Sequence, residues 1–215
     1  MSIKENIVKI KSELGPEVEI LAATKKRTIF EIEEAISSGI NIVGENYVKD
    51  AEEKIKIIGR KVSWHLIGHL QKNKVKKAVE IFDCIESVDS IDLALCLSRQ
   101  ANSKNKIIEI FVEINSARES QKTGVLPEKV YDFVQEIKNL PGLRITGIMT
   151  MGPAVDIADD IKPYFIETKT IFDNLKKQFL PDLKYLSMGM SDTYKIAGDC
   201  GANLVRIGTA IFGNR

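Results

Sequence analysis

Short apolar segments alternate with amphipathic segments along the whole chain, and this alternation constrains the fold more than any other feature of the sequence. The segments between the apolar runs have helical spacing, and no hairpin turn joins two strands. Such alternation requires parallel strands with helical crossovers, so it predicts an α/β fold. The predicted strands are 20–23, 40–43, 62–67, 82–85, 106–114, 143–149, 185–187 and 203–207.

The predicted helices between these strands complete a repeating unit. They span 3–14, 29–39, 47–58, 71–79, 91–101, 127–137, 161–179 and 192–198. Eight strands in about 200 residues favour a (β/α)8 TIM barrel, formed by a single domain over residues 1–215. We expect no helix after the eighth strand, and we expect the N-terminal helix to close the ring there. An open doubly wound sheet alternates in the same way and is the alternative.

Composition excludes several classes of protein. The formal net charge is +1, so no bulk field attracts the chain to nucleic acid or to a membrane. No apolar run approaches the ~20 residues of a membrane span, and the N-terminus has no apolar signal core, so we expect a cytoplasmic protein. Cys84, Cys96 and Cys200 lack metal-ligand spacing and are interpreted as core residues, and we expect no metal site.

A lysine follows the first predicted strand. The segment 18–27 runs from apolar residues into Thr24 and Lys25, where a parallel strand would leave the core. In general, desolvation or a second cation nearby lowers the pKa of a lysine and frees its amine as a nucleophile. Lys26 and Arg27 could supply such a cation. A solvated basic turn is the alternative for this stretch taken alone.

Polar and small residues follow the ends of most predicted strands. In a (β/α)8 barrel these ends share one face, where the active site lies. The residues that we assign to a binding site at this face are Lys25, Asn46, His69, Ser87, Met149, Ser187, Ser191, Arg206, Gly208 and Thr209. His65, inside the third strand, is interpreted as structural.

The ends of the seventh and eighth strands have the composition of a phosphate site. Residues 186–192 form a strand, a small-residue turn and the start of a helix, where backbone N–H groups and serine hydroxyls can bind an anion. Arg206 and Gly208 follow at the next strand. An amine facing a phosphate site fits pyridoxal 5'-phosphate (PLP), and a Schiff-base aldolase acting on a sugar phosphate fits the same pattern.

Six stretches form motifs that occur together in a known family. They are 22–25 (AATK), 43–47 (VGENY), 64–74 (WHLIGHLQKNK), 87–90 (SVDS), 186–192 (LSMGMSD) and 205–213 (VRIGTAIFG). Over residues 18–213 the chain resembles the YggS/PROSC family of pyridoxal phosphate homeostasis proteins. The segment 26–28 departs from the family pattern because it lacks the usual proline, so we expect a more mobile loop there.

The resemblance implies a fold-type III barrel, similar to the N-terminal domain of alanine racemase, with PLP held as an aldimine on Lys25. By similarity, Ser191, Gly208 and Thr209 would bind the phosphate. Arg206 matches an arginine that faces the pyridine nitrogen in the racemase, and contact with the phosphate is the alternative. An arginine at the ring nitrogen disfavours a pyridinium and weakens the ring as an electron sink.

The family is regarded as one of PLP carriers and regulators without robust catalysis. The resemblance therefore implies a protein that buffers PLP or delivers it to apo-enzymes. Racemases of this fold use a tyrosine from a further β-domain, and this sequence ends at Arg215 without one. We therefore expect a monomer without robust turnover, and a PLP-dependent racemase or decarboxylase is the alternative.

Overall fold

A computed structural model, which describes residues 2–155 and 157–214, contains a closed barrel of parallel strands. Each strand pairs with its sequence neighbour, and β1 pairs with β8 to close the ring. The predicted TIM barrel is confirmed and the open sheet is excluded, while the predicted domain limits, Met1 and Arg215, lie outside the described residues. The strands are β1 (Glu19–Ala23), β2 (Ile42–Glu45), β3 (Ser63–Leu66), β4 (Cys84–Val88), β5 (Ile108–Glu113), β6 (Leu143–Met149), β7 (Tyr185–Ser187) and β8 (Leu204–Ile207).

Helices cover the outside of the barrel, and all but the first and the last connect successive strands. They are α1 (Ile3–Glu13), α2 (Ile29–Ser37), α3 (Val48–Ile58), α4 (Val75–Ile81), α5 (Ile91–Asn102), α6 (Val130–Ile137), α7 (Lys162–Gln178), α8 (Tyr194–Asp199) and α9 (Thr209–Phe212). Short 3-10 turns at Lys72–Lys74, Pro127–Lys129 and Ala158–Ile161 lead into α4, α6 and α7. Among the described helices, none has the length and apolar character needed to cross a bilayer.

Two helices meet at the junction of β8 and β1. α1 packs against α2 and α9, as expected of an N-terminal helix that closes the ring. The side-chain amide of Asn6 donates a 2.9 Å hydrogen bond to the carbonyl oxygen of Ile211 in α9. The expectation that no helix follows the eighth strand was wrong, because the four residues of α9 are too few to show helical periodicity.

Two strands end later than predicted, and the residues that the prediction left out include buried carboxylates. Glu45 is the last residue of β2, which was predicted over 40–43, and Glu86 lies in the middle of β4, which was predicted over 82–85. Both residues are 0% exposed. A glutamate ordinarily indicates solvent at the end of a strand, and tertiary hydrogen bonds are what allow these two to be buried.

The helix after β7 begins later than predicted. A turn over residues 190–193 precedes it, in which the N–H of Met190 donates to Thr193 Oγ1 and the N–H of Thr193 donates to the Met190 carbonyl. α8 therefore starts at Tyr194 and not at 192. Ser191 lies in this turn and not in the first turn of a helix.

Alternate residues along the strands fill the barrel interior. They form a buried cluster separate from the larger core between the barrel and the helices. Because side chains alternate across a strand, residues two positions further along also face the interior, nearer the carboxyl ends. The inner cluster comprises Leu21, Ile42, Cys84, Phe111, Met149 and Leu204. Cys84 is a core residue, as interpreted from the sequence, whereas Cys96 and Cys200 are partly buried and pack against the outer core.

α2 begins at a capping box formed by Thr28 and Glu31. Thr28 Oγ1 accepts a 3.3 Å hydrogen bond from the N–H of Glu31, and the Glu31 carboxylate accepts a 2.7 Å hydrogen bond from the N–H of Thr28. These bonds satisfy N–H groups that the first helical turn leaves without partners. The box fixes the start of α2 and so confines the chain after Lys25 to a tight turn.

Gly147 in β6 tests how closely the barrel is packed. A Cβ atom there would lie 2.7 Å from the ring of Phe111 and 2.8 Å from the carbonyl oxygen of Tyr185. The backbone oxygen cannot rotate away, so we expect Gly147→Ala to destabilise the fold by about 1–3 kcal/mol. The thermal unfolding midpoint should fall by roughly 3–10 °C. Gly15→Ala is the control because a Cβ atom there meets nothing within 4 Å, and equal midpoints would contradict this packing.

Candidate functional site

The carboxyl-terminal mouth of the barrel gathers polar side chains from different strands. They continue the inward register of the cluster inside the barrel. Apart from the lysine, these residues are buried. The inward set comprises Lys25, His65, Glu86, Glu113, Ser187 and Arg206.

A chain of hydrogen bonds crosses the barrel interior. Arg206 Nη1 donates to Ser187 Oγ at 2.7 Å, and this hydroxyl donates to Glu86 Oε2 at 2.7 Å. Glu86 Oε1 lies 2.7 Å from His65 Nδ1, and His65 Nε2 lies 3.2 Å from Ser63 Oγ. A carboxylate only accepts, so the imidazole carries its proton on Nδ1. His65 thus orients Glu86, as its structural interpretation suggests.

The guanidinium of Arg206 is buried without a carboxylate in contact among the described residues. Its two hydrogen-bond acceptors are Ser187 Oγ and, at 2.8 Å from Nη2, the carbonyl oxygen of Thr150. Burial lowers the pKa of Arg206, and the charges of Glu86 and Glu113 oppose this shift. A guanidinium is not deprotonated in proteins, so the group keeps its charge. A buried cation whose direct partners are uncharged can bind an anion or a lone-pair acceptor.

Glu113 is a second acidic group at the mouth. Burial raises the pKa of this carboxyl group, the hydrogen bond from Thr123 Oγ1 lowers it, and Asp89 raises it further. The Thr123 hydroxyl donates to Glu113 Oε1 at 3.0 Å. We did not assign Glu86 or Glu113 to the site from the sequence. Two-residue alternation through β4 and β5 was the pattern that could have identified them.

Lys25 lies in a tight turn after β1. The N–H of Arg27 donates to the carbonyl oxygen of Thr24 at 2.9 Å, which closes the turn over residues 24–27. Lys26 has a φ of 60°, in the left-handed region that favours glycine. The ammonium of Lys25 lies 5.2 Å from the centroid of the Tyr47 ring. Mobility of this loop, expected from the missing proline, stays a prediction.

The loops after β7 and β8 meet each other and β1. Ser191 Oγ accepts a 3.1 Å hydrogen bond from the N–H of Ala210 at the start of α9. The register pairs Ala22 with Ile207, so Gly208 follows beside the end of β1. Lys25 and the residues predicted to bind phosphate therefore share one end of the barrel.

Asn46 and His69 lie on a neighbouring part of the mouth. They line a cleft of about 1100 Å³ between α3 and α4, together with Tyr47. His69 is exposed, and its Nδ1 lies 4.0 Å from Asp89 Oδ2. The described residues that line this cleft include neither Lys25 nor Arg206, so the cleft lies beside the predicted binding site and not within it.

Two other residues assigned from the sequence already have structural roles. Ser87 Oγ donates a 2.7 Å hydrogen bond to the carbonyl oxygen of Gly68, which fixes the loop after β3. Met149 is 1% exposed and packs in the cluster inside the barrel. Their contact with a ligand stays a prediction.

The described residues fit a molecule that bears a phosphate and an aldehyde. Lys25 supplies an amine at the mouth, and the loops around Ser191 and Gly208 lie beside it. Arg206 adds a buried positive charge on β8, two residues before Gly208. The groups that accept its hydrogen bonds are uncharged. No group of three or more described His, Cys, Asp or Glu residues could hold a metal ion.

Comparison with known proteins identifies the family. The family model described as "Alanine racemase, N-terminal domain" matches residues 1–215. A pyridoxal phosphate homeostasis protein of Pasteurella multocida is 35% identical over 230 residues, which cover 100% of this chain and 98% of that protein. One from Haemophilus influenzae is 36% identical over 203 residues, covering 92% and 85%. The chain belongs to the pyridoxal phosphate homeostasis family.

Solved structures agree with this assignment to the homeostasis family. PipY of Synechococcus elongatus PCC7942 has been solved without PLP, at a TM-score of 0.92 and 33% identity, and with PLP bound, at 0.89 and 32%. Both matches cover 99% of this chain and 100% of PipY. Alanine racemase of Clostridium difficile 630 shares the fold at a TM-score of 0.83 and 17% identity, over 100% of this chain and 56% of the racemase. The family and fold expected from the sequence are confirmed.

The raised pKa of Glu113 predicts how stability depends on pH in this homeostasis-family protein. A carboxyl group whose pKa is raised by folding stabilises the fold below its unfolded pKa, and this contribution is lost as pH rises through the folded pKa. Glu113→Gln removes the ionisation and keeps an acceptor for Thr123. Its unfolding midpoint, relative to wild type, should therefore be higher at pH 7 than at pH 4, by roughly 1–4 °C. A midpoint difference that does not change with pH would contradict this assignment.

Proposed function

We propose that this protein binds PLP at the barrel mouth through Lys25 and acts in PLP homeostasis by buffering or delivering the cofactor. The observation that carries the proposal is the shared position of the Lys25 turn, the β8–α9 loop and the buried cation of Arg206 at one barrel end. The similarity to PipY, solved with PLP bound, supports it. When bound, PLP supplies an aldehyde that condenses with an amine and releases one water.

Each part of the mouth has a distinct role in this proposal. The Lys25 amine is the group that bonds covalently to PLP, as an aldimine. Ser191, Gly208 and Thr209 bind the phosphate through a hydroxyl and the backbone N–H groups of the last loop. The hydrogen bond from Ala210 to Ser191 supports this role because it holds the two loops together.

Arg206 is assigned to the ring nitrogen and not to the phosphate. Its side chain extends inward from β8, toward Ser187 on β7 and the Thr150 carbonyl after β6, whereas the phosphate loop begins at Gly208. The uncharged Ser187 hydroxyl separates Arg206 from Glu86. A cation at the ring nitrogen keeps that nitrogen unprotonated, which favours a carrier over an enzyme that needs an electron sink.

Four further residues line the approach to the ring. Asn46 and His69 contact the cofactor from the cleft side, and Ser87 and Met149 limit the depth to which the ring enters. The cytoplasmic location, the monomeric state and the transfer of PLP to apo-enzymes stay predictions.

Covalent attachment tests the central role of Lys25. We expect wild-type protein mixed with PLP and reduced with borohydride to gain one phosphopyridoxyl group, placed on Lys25 by peptide mass spectrometry. Lys25→Ala should lose this adduct and its visible absorption band. Lys26→Ala should keep both, because Lys26 is exposed to solvent. Absence of an adduct on wild-type protein, or an adduct elsewhere, would overturn the proposal.

Arg206→Gln tests whether Arg206 contacts the bound cofactor. Loss of a buried charged hydrogen bond of about 1.5–3 kcal/mol should weaken PLP binding by roughly 10–150-fold, while attachment at Lys25 persists at saturating PLP. Equilibrium titration followed by absorbance measures the change. Unchanged affinity would contradict the assignment. Turnover in a panel of amino acids that disappears with Lys25→Ala would instead support a racemase or decarboxylase.

A further inference from the structure

A buried ion pair lies directly behind the Lys25 turn. Lys54 comes from α3, and its side chain is 12% exposed. Its ammonium donates to Glu45 Oε1 at 2.5 Å and to the carbonyl oxygen of Thr24 at 2.7 Å. Glu45, at the end of β2, is 0% exposed. The second bond reaches the peptide unit that joins Thr24 to Lys25.

Thr24 is held at each of its polar groups. Its N–H donates to the carbonyl oxygen of Gly44 at 2.9 Å, and its Oγ1 donates to Glu45 Oε1 at 2.5 Å. Its carbonyl oxygen accepts from the Lys54 ammonium and from the N–H of Arg27. Thr24 therefore has little freedom to rotate, and the backbone direction at Lys25 is fixed with it.

The alternation of side chains along β1 and β2 places Glu45 and the Thr24 side chain, and with them Lys54, outside the barrel interior. Ala23 belongs to the partly buried groups inside the barrel, and alternation turns the side chain of Thr24 outward and that of Lys25 back toward the mouth. Lys54 and Glu45 thus lie on the helix side of β1 and β2. Lys54 is connected to the Lys25 backbone through the Thr24 carbonyl.

Energetics argue that stability is not the reason for this arrangement. A buried ion pair gains little over apolar packing, because both charges lose their hydration. Glu45 Oε2 is buried and has no hydrogen-bond partner among the described residues, which adds a cost. The left-handed Lys26 stores strain in the same turn. Strained residues are concentrated at sites where the backbone positions a group that binds a ligand.

We propose that Lys54, paired with Glu45, is a positioning residue that aims the amine of Lys25 at the aldehyde of its ligand. The inference rests on the proposed function. Lys54 touches neither the ligand nor the reacting atoms. It holds the Thr24 carbonyl, so that the Lys25 nitrogen forms its C=N bond to the aldehyde carbon at the observed turn geometry, and one water leaves.

The test is the rate at which PLP becomes attached to Lys25, measured by stopped-flow absorbance. Lys54→Met should slow attachment by about 10-fold, within the range that misplacement of a reacting group produces. Lys54→Arg, which can donate to both oxygens, should restore at least half of the wild-type rate. Lys56→Met is the matched control, because Lys56 lies on the same helix, is 69% exposed and pairs with Glu52 at the surface.

A second measurement separates positioning from a general structural defect. In a Lys25→Ala background, Lys54→Met should leave the dissociation constant for PLP unchanged within 2-fold, because Lys54 acts only through Lys25. An equal loss of affinity in both backgrounds would overturn the inference. Glu45→Gln keeps an acceptor but removes the charge, and it should slow attachment by about 3-fold even if Lys54→Met fails to fold.

The outcomes distinguish this inference from the proposed function. If wild-type protein attaches PLP to Lys25, but Lys54→Met and Glu45→Gln attach it at the wild-type rate, the positioning role is wrong and the proposed function stands. If wild-type protein forms no adduct, the proposed function itself fails, and the positioning role fails with it.

Discussion

Pairing between β1 and β8 is the constraint on which the rest of the structure depends. The register sets Leu21 beside Arg206 and Ala22 beside Ile207, so the residues after both strands reach the same height. In an open sheet these strands would lie apart, and the Lys25 amine and the Gly208 loop could not contact one small molecule. Closure of the barrel therefore brings together two ends of the sequence that have no local reason to meet.

A chain of hydrogen bonds connects charged side chains inside the barrel. Arg206 donates to the Ser187 hydroxyl, which donates to Glu86, and Glu86 accepts from His65. The Arg206 guanidinium and the Glu86 carboxylate are therefore bridged by the Ser187 hydroxyl and make no direct contact. The guanidinium retains further N–H groups that can donate hydrogen bonds at the mouth. Alanine racemase of Clostridium difficile shares the fold, and a shared fold does not by itself imply a shared activity.

Much of the fold could be predicted because it follows from local periodicity. Alternating segments predicted the barrel, and the positions of Lys25 and Gly208 at strand ends predicted their common face. Glu86 was harder to place, since a glutamate within an apolar run looks like the end of a strand. Only its tertiary partners, His65 and Ser187, account for its burial.

Lys54 shows the limit of sequence reasoning most clearly. It lies in α3 among other lysines and glutamates, where its pattern is typical of a solvated helix face. Its partners belong to the ends of β1 and β2, so only the assembled barrel brings them within 2.7 Å. The one-turn helix α9 was also missed, because four residues are too few to show the periodicity of an amphipathic helix.

Arg27 ties the Lys25 turn to the last described residues. Its guanidinium donates to the carbonyl oxygens of Phe212 and Gly213 and pairs with Glu31. A change in the position of Phe212 and Gly213 would therefore be transmitted through Arg27 to the turn that holds Lys25.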